Sequence, residues 1–467
     1  MSTPIERLVV LMLENRSFDH LLGFLKRDNA AINGLTGTET NPPADDSRPQ
    51  VQVSDLAGDV GDLDPDPGHD FNDVTIQIFG SLDTAQPADM SGFVGDYARI
   101  SNNPIHGENI MRCFKPQTLP VLSTLAQQYG VCDRWFSSVP GSTIPNRMFV
   151  HGASSAGSVT QDAIVAPFLL HTIFESFGPN TIHTYKIYTS GSSILLANKY
   201  QVQHQAKFAD YSQFESDALN GNLPAYTFIE PRYDDDDAGN FANSQHPDFP
   251  VDRGEGLIAD VYNILTKSPR WKSTLLLILY DEHGGIYDHV VPPSVQCSPE
   301  NAHLPVPSSG PPFNFDFSRL GVRVPAVFVS PCIPAGTVIN DRDYEHSSVV
   351  ATVRKLFCPD TAPLTWREAQ AATFENVLSL EGSDIRNDVV NLPPPVVSPG
   401  VVDISAAEEH RSPTDLSALI ARAMHYSLQQ RGIASPVDPS TLTTASQVAA
   451  YLRQANQLSL NPPGAQP

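Results

Sequence analysis

Five short apolar runs punctuate the sequence: Leu8–Leu13, Thr184–Tyr188, Ala225–Ile229, Leu275–Tyr280 and Val324–Ser330. Their hydrophobicity is continuous rather than alternating, the pattern of strands covered on both faces. Between them the period changes. Leu257, Ile258, Val261, Ile264 and Leu265 recur at helical spacing, and so do Val349, Val350, Val353, Leu356 and Phe357. A third helix is expected over about Leu119 to Tyr129, with Gly130 as its C-cap. Strands alternating with helices predict an α/β sheet with helices on both sides.

The punctuation divides the rest. Residues 37 to 68, rich in Gly, Pro and Asp, read as an irregular excursion. The stretch "YDDDDAGN" (233–240) reads as a solvated acidic loop, because it lacks the ligand spacing of an EF-hand. A Pro-rich linker at 391–402 separates one large unit, residues 1–390, from a C-terminal extension, 403–467. In the extension, "DLSALIARAMHYSLQQRG" and "ASQVAAYLRQANQL" predict two helices with no evident chemistry of their own.

Charge narrows the choice of partners. Lys and Arg total 29 against 52 Asp and Glu, a formal net charge of -23 over 467 residues. Such a surface repels phosphate backbones, so nucleic acid is not an expected partner. A phosphate-bearing substrate stays open, since a bound cation sets the local field. Five cysteines without a C-x-x-C pair make neither a disulfide framework nor a zinc cluster. No signal peptide and no membrane-spanning apolar run is visible, so a cytoplasmic location is the expectation. The oligomeric state has no signature in the sequence.

Charge then appears where strands end. Leu8–Leu13 turns at once into Glu14-Asn15-Arg16, and Leu275–Tyr280 into "DEHGGIYDHV", beginning with Asp281 and Glu282. Ligands of open α/β sheets gather beyond the carboxyl ends of the strands. Three carboxylates brought together there repel one another unless a divalent cation lies between them; each cluster taken alone also reads as a surface turn. In "GSTIPNR", Thr143 stands just ahead of a Pro-containing first helical turn, as a simple N-cap or as a hydroxyl placed to attack phosphorus. Arg147 in the same stretch reads as a phosphate holder or as the partner of an acid. Among 14 histidines, His69, His246, His289 and His346 keep suggestive company, His346 at the start of a helix where a structural role suits it. "IFGSLD" (78–83) and "PPFNFDF" (311–317) read either as an apolar rim for acyl chains or as core packing.

Taken in order, "MLENRSFDHLLG", "GHDF", "LPVLSTLAQQYGVCDRWFSSVPGSTIPNRMFVHG", "LPAYTFIEPRY", "QHP", "DEHGGIYDHV" and "YEHSSVVATVRKLF" resemble the phosphoesterase family of bacterial phospholipase C, plant non-specific phospholipase C and acid phosphatase A. The resemblance spans about residues 8 to 360. It implies an alkaline-phosphatase-like fold, with a central, mostly parallel sheet, and metal-dependent hydrolysis of phosphoesters. Glu14, Asn15, Thr143, Asp281 and Glu282 are then metal ligands, Thr143 also the nucleophile of a phosphothreonine intermediate. His69 and His246 become the histidines that hold the phosphoryl group and protonate the leaving group. One divalent ion is implied; the oxygen-only ligand set favours Mg, Ca or Mn, with Zn also acceptable to it. The expected activity is of phospholipase C type. A broad acid phosphatase is the alternative, and a non-catalytic metal-binding relative the rival from another class. Ser142 departs from the family, which usually has proline there.

Overall fold

The computed structural model describes residues 5–58, 63–161, 171–178, 182–191, 193–197, 205–235, 240–295, 313–396 and 413–460. Eight strands form the central sheet: β1 (Arg7–Leu13), β2 (Gly130–Cys132), β3 (Tyr185–Thr189), β4 (Phe208–Asp210), β5 (Tyr226–Glu230), β6 (Thr274–Tyr280), β7 (Ala326–Val329) and β8 (Thr337–Ile339). Their order is β8-β2-β7-β6-β1-β5-β3-β4. Every adjacent pair is parallel except the two involving β7, which is antiparallel to both β6 and β2.

The five expected strands are all present, within a residue or two of the apolar runs. Residues of β6 are buried throughout, and those of β1 from Leu8 onward. Side chains alternate between the faces of a strand, so burial at every position means that both faces are covered. The cover comes from α2 (Pro120–Gln128), α3 (Thr143–Gly152), α4 (Val251–Lys267) and α5 (Ser347–Phe357), with α1 (Phe71–Phe79) packed against Val53 and Leu63 of the excursion. The two C-terminal helices are α6 (Asp415–Gln430) and α7 (Ala445–Leu460).

One sequence expectation fails at Gly130. Helix α2 ends with Tyr129 as its C-cap, at φ -129°, and Gly130 is already the first residue of β2. No left-handed turn is needed, because the chain leaves the helix directly into an extended strand beside β7 and β8. A second correction concerns the acidic stretch. Tyr233 and Asp234 are buried and Asp235 pairs with Arg253 at 2.8 Å, while residues 236–239 lie outside the described ones. Its opening residues are packed because Tyr233 belongs to a buried polar chain, described below.

Of the two readings of "IFGSLD" and "PPFNFDF", core packing holds for most of the described residues. Ile78, Phe315 and Phe317 are buried, Phe71 packs edge-on against Phe313 and Phe315, and Leu82 is exposed. Residues 311 and 312 of that stretch lie outside the described ones. Among the described residues no helix is long and apolar enough to cross a membrane.

Candidate active site

The site is assembled by register. Leu13 of β1 pairs with Tyr280 of β6, so Glu14-Asn15 and Asp281-Glu282 leave the sheet side by side. Backbone bonds tie the two exits together. Asn15 N donates to Asp281 Oδ1 at 3.1 Å, Arg16 N to Glu282 O at 3.0 Å, and Asp281 N to Leu13 O at 3.3 Å. Asn15 sits at φ 55°, a conformation asparagine adopts more readily than most residues. Gly284 and Gly285 then let the β6 loop press on its neighbours. A Cβ on Gly284 would lie 2.3 Å from Asn15 O, and one on Gly285 2.4 Å from Gly68 O, next to His69.

Thr143 is the first residue of α3, and Ser142 is its N-cap. The N-cap alternative for Thr143 therefore passes to its neighbour. Ser142 has φ -79°, a value that proline also adopts. Asn146 staples the loop, its Nδ2 donating to Gly141 O at 2.9 Å and Ser142 O at 3.1 Å, while its Oδ1 accepts from Val139 N at 3.0 Å. Thus held, the Thr143 hydroxyl donates to Asn15 Oδ1 at 3.4 Å. One turn later Arg147, also buried, donates from Nε to Asp281 Oδ2 at 2.9 Å, from Nη1 to Tyr233 Oη and from Nη2 to Leu13 O. Tyr233 Oη in turn donates to Glu230 Oε1 at 3.0 Å. Of the two sequence readings of Arg147, the structure takes the second, partner of an acid.

His69 and His246 meet across the same cavity, with ring centroids 6.5 Å apart. Asp66 lies between them, its Oδ2 3.7 Å from a nitrogen of each ring, and Asp248 Oδ2 is 3.2 Å from His246 Nδ1. Burial alone would push both imidazoles down. Glu282 and Asp66 instead hold His69 up at about 9, and Asp66 with Asp248 hold His246 up at about 10. Burial raises Asp66 to about 6 against the pull of both rings. Asn15, Asp64, Asp66, His69, Thr143 and His246 line a cavity of about 290 Å³. Sequence reasoning missed Asp66 and Asp248. Asp66, in "DPDPGHDF", stood three residues from a chosen histidine, and that spacing was the available signal.

His289 and His346 are elsewhere. His346 Nε2 donates to Asp281 O at 2.5 Å and its Nδ1 accepts from Trp135 Nε1, which fixes a neutral tautomer; burial holds its pKa down at about 4. The second half of "DEHGGIYDHV" builds a different cluster. Asp19, Asp288 and His289 place ligand-type atoms within 4.8 Å of one another. Arg323 sits among them, 2.8 Å from Asp19 and 3.2 Å from Asp288, while His289 binds Asp19 at 2.6 Å. The guanidinium already supplies the positive charge a cation would bring, so this is an ion-pair lock between the short helix Phe18–Leu22 and the segment that follows β6.

Glu14, Asp281 and Glu282 fit a cation better, although they do not form so compact a group among the described residues. All three are buried, and Glu14 Oε1 and Glu282 Oε1 have no hydrogen-bond partner. An orphaned buried carboxylate oxygen costs free energy unless something positive meets it. Burial pushes Glu14 up to about 8, despite Arg147 nearby, and also raises Asp281. Glu282 goes the other way, because His69 and His283 outweigh its burial. The donors are oxygens, as a hard cation requires.

Comparison with known proteins gives a consistent result. The model of the Phosphoesterase family matches residues 5–358. Non-specific phospholipase C6 of Arabidopsis thaliana is 43% identical over 391 residues, covering 81% of this chain and 72% of that protein. Non-specific phospholipase C1 of the same plant is 42% identical over 404 residues, covering 84% and 74%. Phospholipase C B of Mycobacterium tuberculosis is 27% identical over 424 residues, covering 79% and 76%. Among solved structures, the lipoteichoic acid synthase LtaP of Listeria monocytogenes aligns with 80% of this chain and 76% of its own at 11% identity and a TM-score of 0.38.

Proposed function

Because this chain belongs to the Phosphoesterase family and is a hydrolase of phosphoester bonds, we propose that it cleaves phospholipids in the manner of a phospholipase C, with Thr143 as nucleophile. The observation that carries the reading is the placement of the Thr143 hydroxyl, 3.4 Å from Asn15 Oδ1 and in one cavity with His69 and His246. The printed activity of the plant and mycobacterial relatives supports the substrate class.

Glu14, Asn15, Asp281 and Glu282, with Thr143 beside them, would hold one divalent cation. Such an ion lowers the pKa of a hydroxyl and offsets charge on phosphoryl oxygens. The count of one follows from charge. Arg147 already faces Asp281, and the charged rings of His69 and His246 stand in for a second cation.

The chain's own residues do the rest. Thr143 gives up its hydroxyl proton to solvent as its Oγ forms a bond to phosphorus and the bond to the glycerol oxygen breaks, and an imidazolium, His69 or His246, gives that oxygen its proton. Diacylglycerol leaves, and the headgroup phosphate stays esterified to Thr143. The imidazole, now neutral, takes a proton from water as water attacks phosphorus and the bond to Thr143 Oγ breaks, which releases the phosphorylated headgroup, and Thr143 Oγ recovers its proton from solvent. Asp66, between the two rings, favours their charged form before each cycle.

A second reading, a phosphomonoesterase, is favoured by the modest cavity of about 290 Å³. One experiment addresses both. Purified protein with Mg, Ca, Mn or Zn is given phosphatidylcholine and, separately, a soluble phosphomonoester, and products are identified by mass. Diacylglycerol with phosphocholine supports the first reading; turnover of the monoester alone supports the second. Thr143→Ala should lose on the order of a thousandfold or more in kcat with an unchanged melting temperature. A variant that keeps its rate would end the nucleophile assignment.

A further inference from the structure

We infer that the first turn of α6, through Thr414 and Leu416, is a wall of the reaction cavity and limits which phosphoesters reach Thr143; the inference rests on the phosphoesterase reading above. The cavity that holds Thr143, His69 and His246 is completed by Pro413, Thr414 and Leu416. These three residues lie beyond 5–358, the stretch matched by the family model.

The sequence presents α6 and α7 as an appendage without chemistry, yet they are built into the body of the protein. Leu416, Leu419, Ile420, Ala423 and Met424 are buried in the same apolar core as β1 and β6. From α7, Asn456 Nδ2 donates to Gly191 O at 2.8 Å, just beyond β3. The turn that faces the cavity is held locally as well. Thr414 Oγ1 accepts from Ser417 N at 3.1 Å, and Ser417 Oγ donates to Thr414 O at 3.0 Å. The first turn of α6 is thus set in place by core packing and by its own cap.

Size and chemistry say what the wall does. At about 290 Å³ the cavity lies at the lower limit of sites for small molecules, roughly 300 to 1,000 Å³. Its other sides are polar or charged: Asp64, Asp66, Gln161 and Asp248. A phosphoryl group with a compact polar substituent fits inside. Two acyl chains do not, and must lie outside, past Leu416. The wall is therefore specificity-determining, opposing bulk on the substrate and setting the balance between lipid and small soluble esters.

The test separates charge from size. Thr414→Asp and Thr414→Asn both keep a capping side chain, so both should melt alike. They differ in one negative charge at the wall. The Asp variant should show a KM for a soluble phosphomonoester at least roughly fivefold above that of the Asn variant, with kcat changed less. Calorimetry with inorganic phosphate should show the same ratio in affinity. Leu416→Ala should raise the kcat/KM ratio of phosphatidylcholine to the monoester severalfold. Equal KM and equal phosphate affinity in the Asp and Asn variants would overturn the inference, as would an unchanged ratio in Leu416→Ala. Wild-type protein that binds no phosphate and turns over no ester would instead bring down the phosphoesterase reading itself.

Discussion

Arg147 Nε lies 2.9 Å from Asp281 Oδ2, with both side chains shielded from solvent. The helix that begins at Thr143 is thereby bolted to the strand end that carries the candidate cation ligands. Removing one partner of a buried pair strands the other charge. Arg147→Met should cost roughly 3–5 kcal/mol in denaturant unfolding. Because a divalent cation would also face Asp281, saturating metal should restore part of that loss. If metal stabilises the variant no more than it stabilises wild type, Asp281 is not a ligand.

Asp66 makes a prediction about pH. It raises the pKa of both His69 and His246, which keeps them protonated to higher pH. Asp66→Asn removes that attraction, so the acid should lose its proton sooner. The basic limb of the kcat/KM profile should move to lower pH, by roughly 1–3 units. A limb that stays in place would mean that neither histidine is the proton donor.

Cation binding should also depend on pH, through Glu14. In the metal-free protein burial holds this carboxyl up at about 8, against its ordinary 4.5. Between those values the folded state binds a proton that the unfolded state has released, so this group's contribution to stability falls as pH rises through the window. A cation needs the carboxylate and relieves the cost of ionising it. The rise in melting temperature on adding metal should therefore be larger at pH 8 than at pH 5. A rise independent of pH would place the ion elsewhere.

The two glycines after Glu282 and His283 should fail differently. Both have positive φ, 65° at Gly284 and 69° at Gly285. Gly284→Ala drives a methyl into Asn15 O, and Gly285→Ala drives one into Gly68 O. The first should weaken metal affinity and activity together, the second should cut kcat while metal affinity holds. Each also bears a strain of about 1–3 kcal/mol, measurable as a lowered midpoint of unfolding. Identical losses of metal affinity in both variants would contradict this division of labour.

The parts of the site that could be read in the sequence share a cause. Glu14, Asn15, Asp281 and Glu282 follow buried strands, whose unbroken apolar runs end abruptly in charge, and a strand end has one place to go in a parallel sheet. Thr143 was legible through the Pro two residues on. Asp66, Asp248 and Thr414 were not, because they come from irregular segments and a helix start, where no period ties a residue to a place. Gly130 misled for a related reason: a glycine after a helix commonly turns the chain, but here a strand began at once. The C-terminal helices looked inert because cavity walls need no reactive side chains.

The central position of β1 and β6, with three strands on either side, sets an order of loss. Amides in the middle of such a sheet exchange with solvent only when the whole molecule opens, whereas loops and peripheral helices open far more often. The carboxylates hang from the most persistent hydrogen-bonded ladder of the protein. His69 comes from the excursion, and Thr414 from the last helical pair. Mild denaturant should therefore silence turnover first, while affinity for an added divalent cation persists.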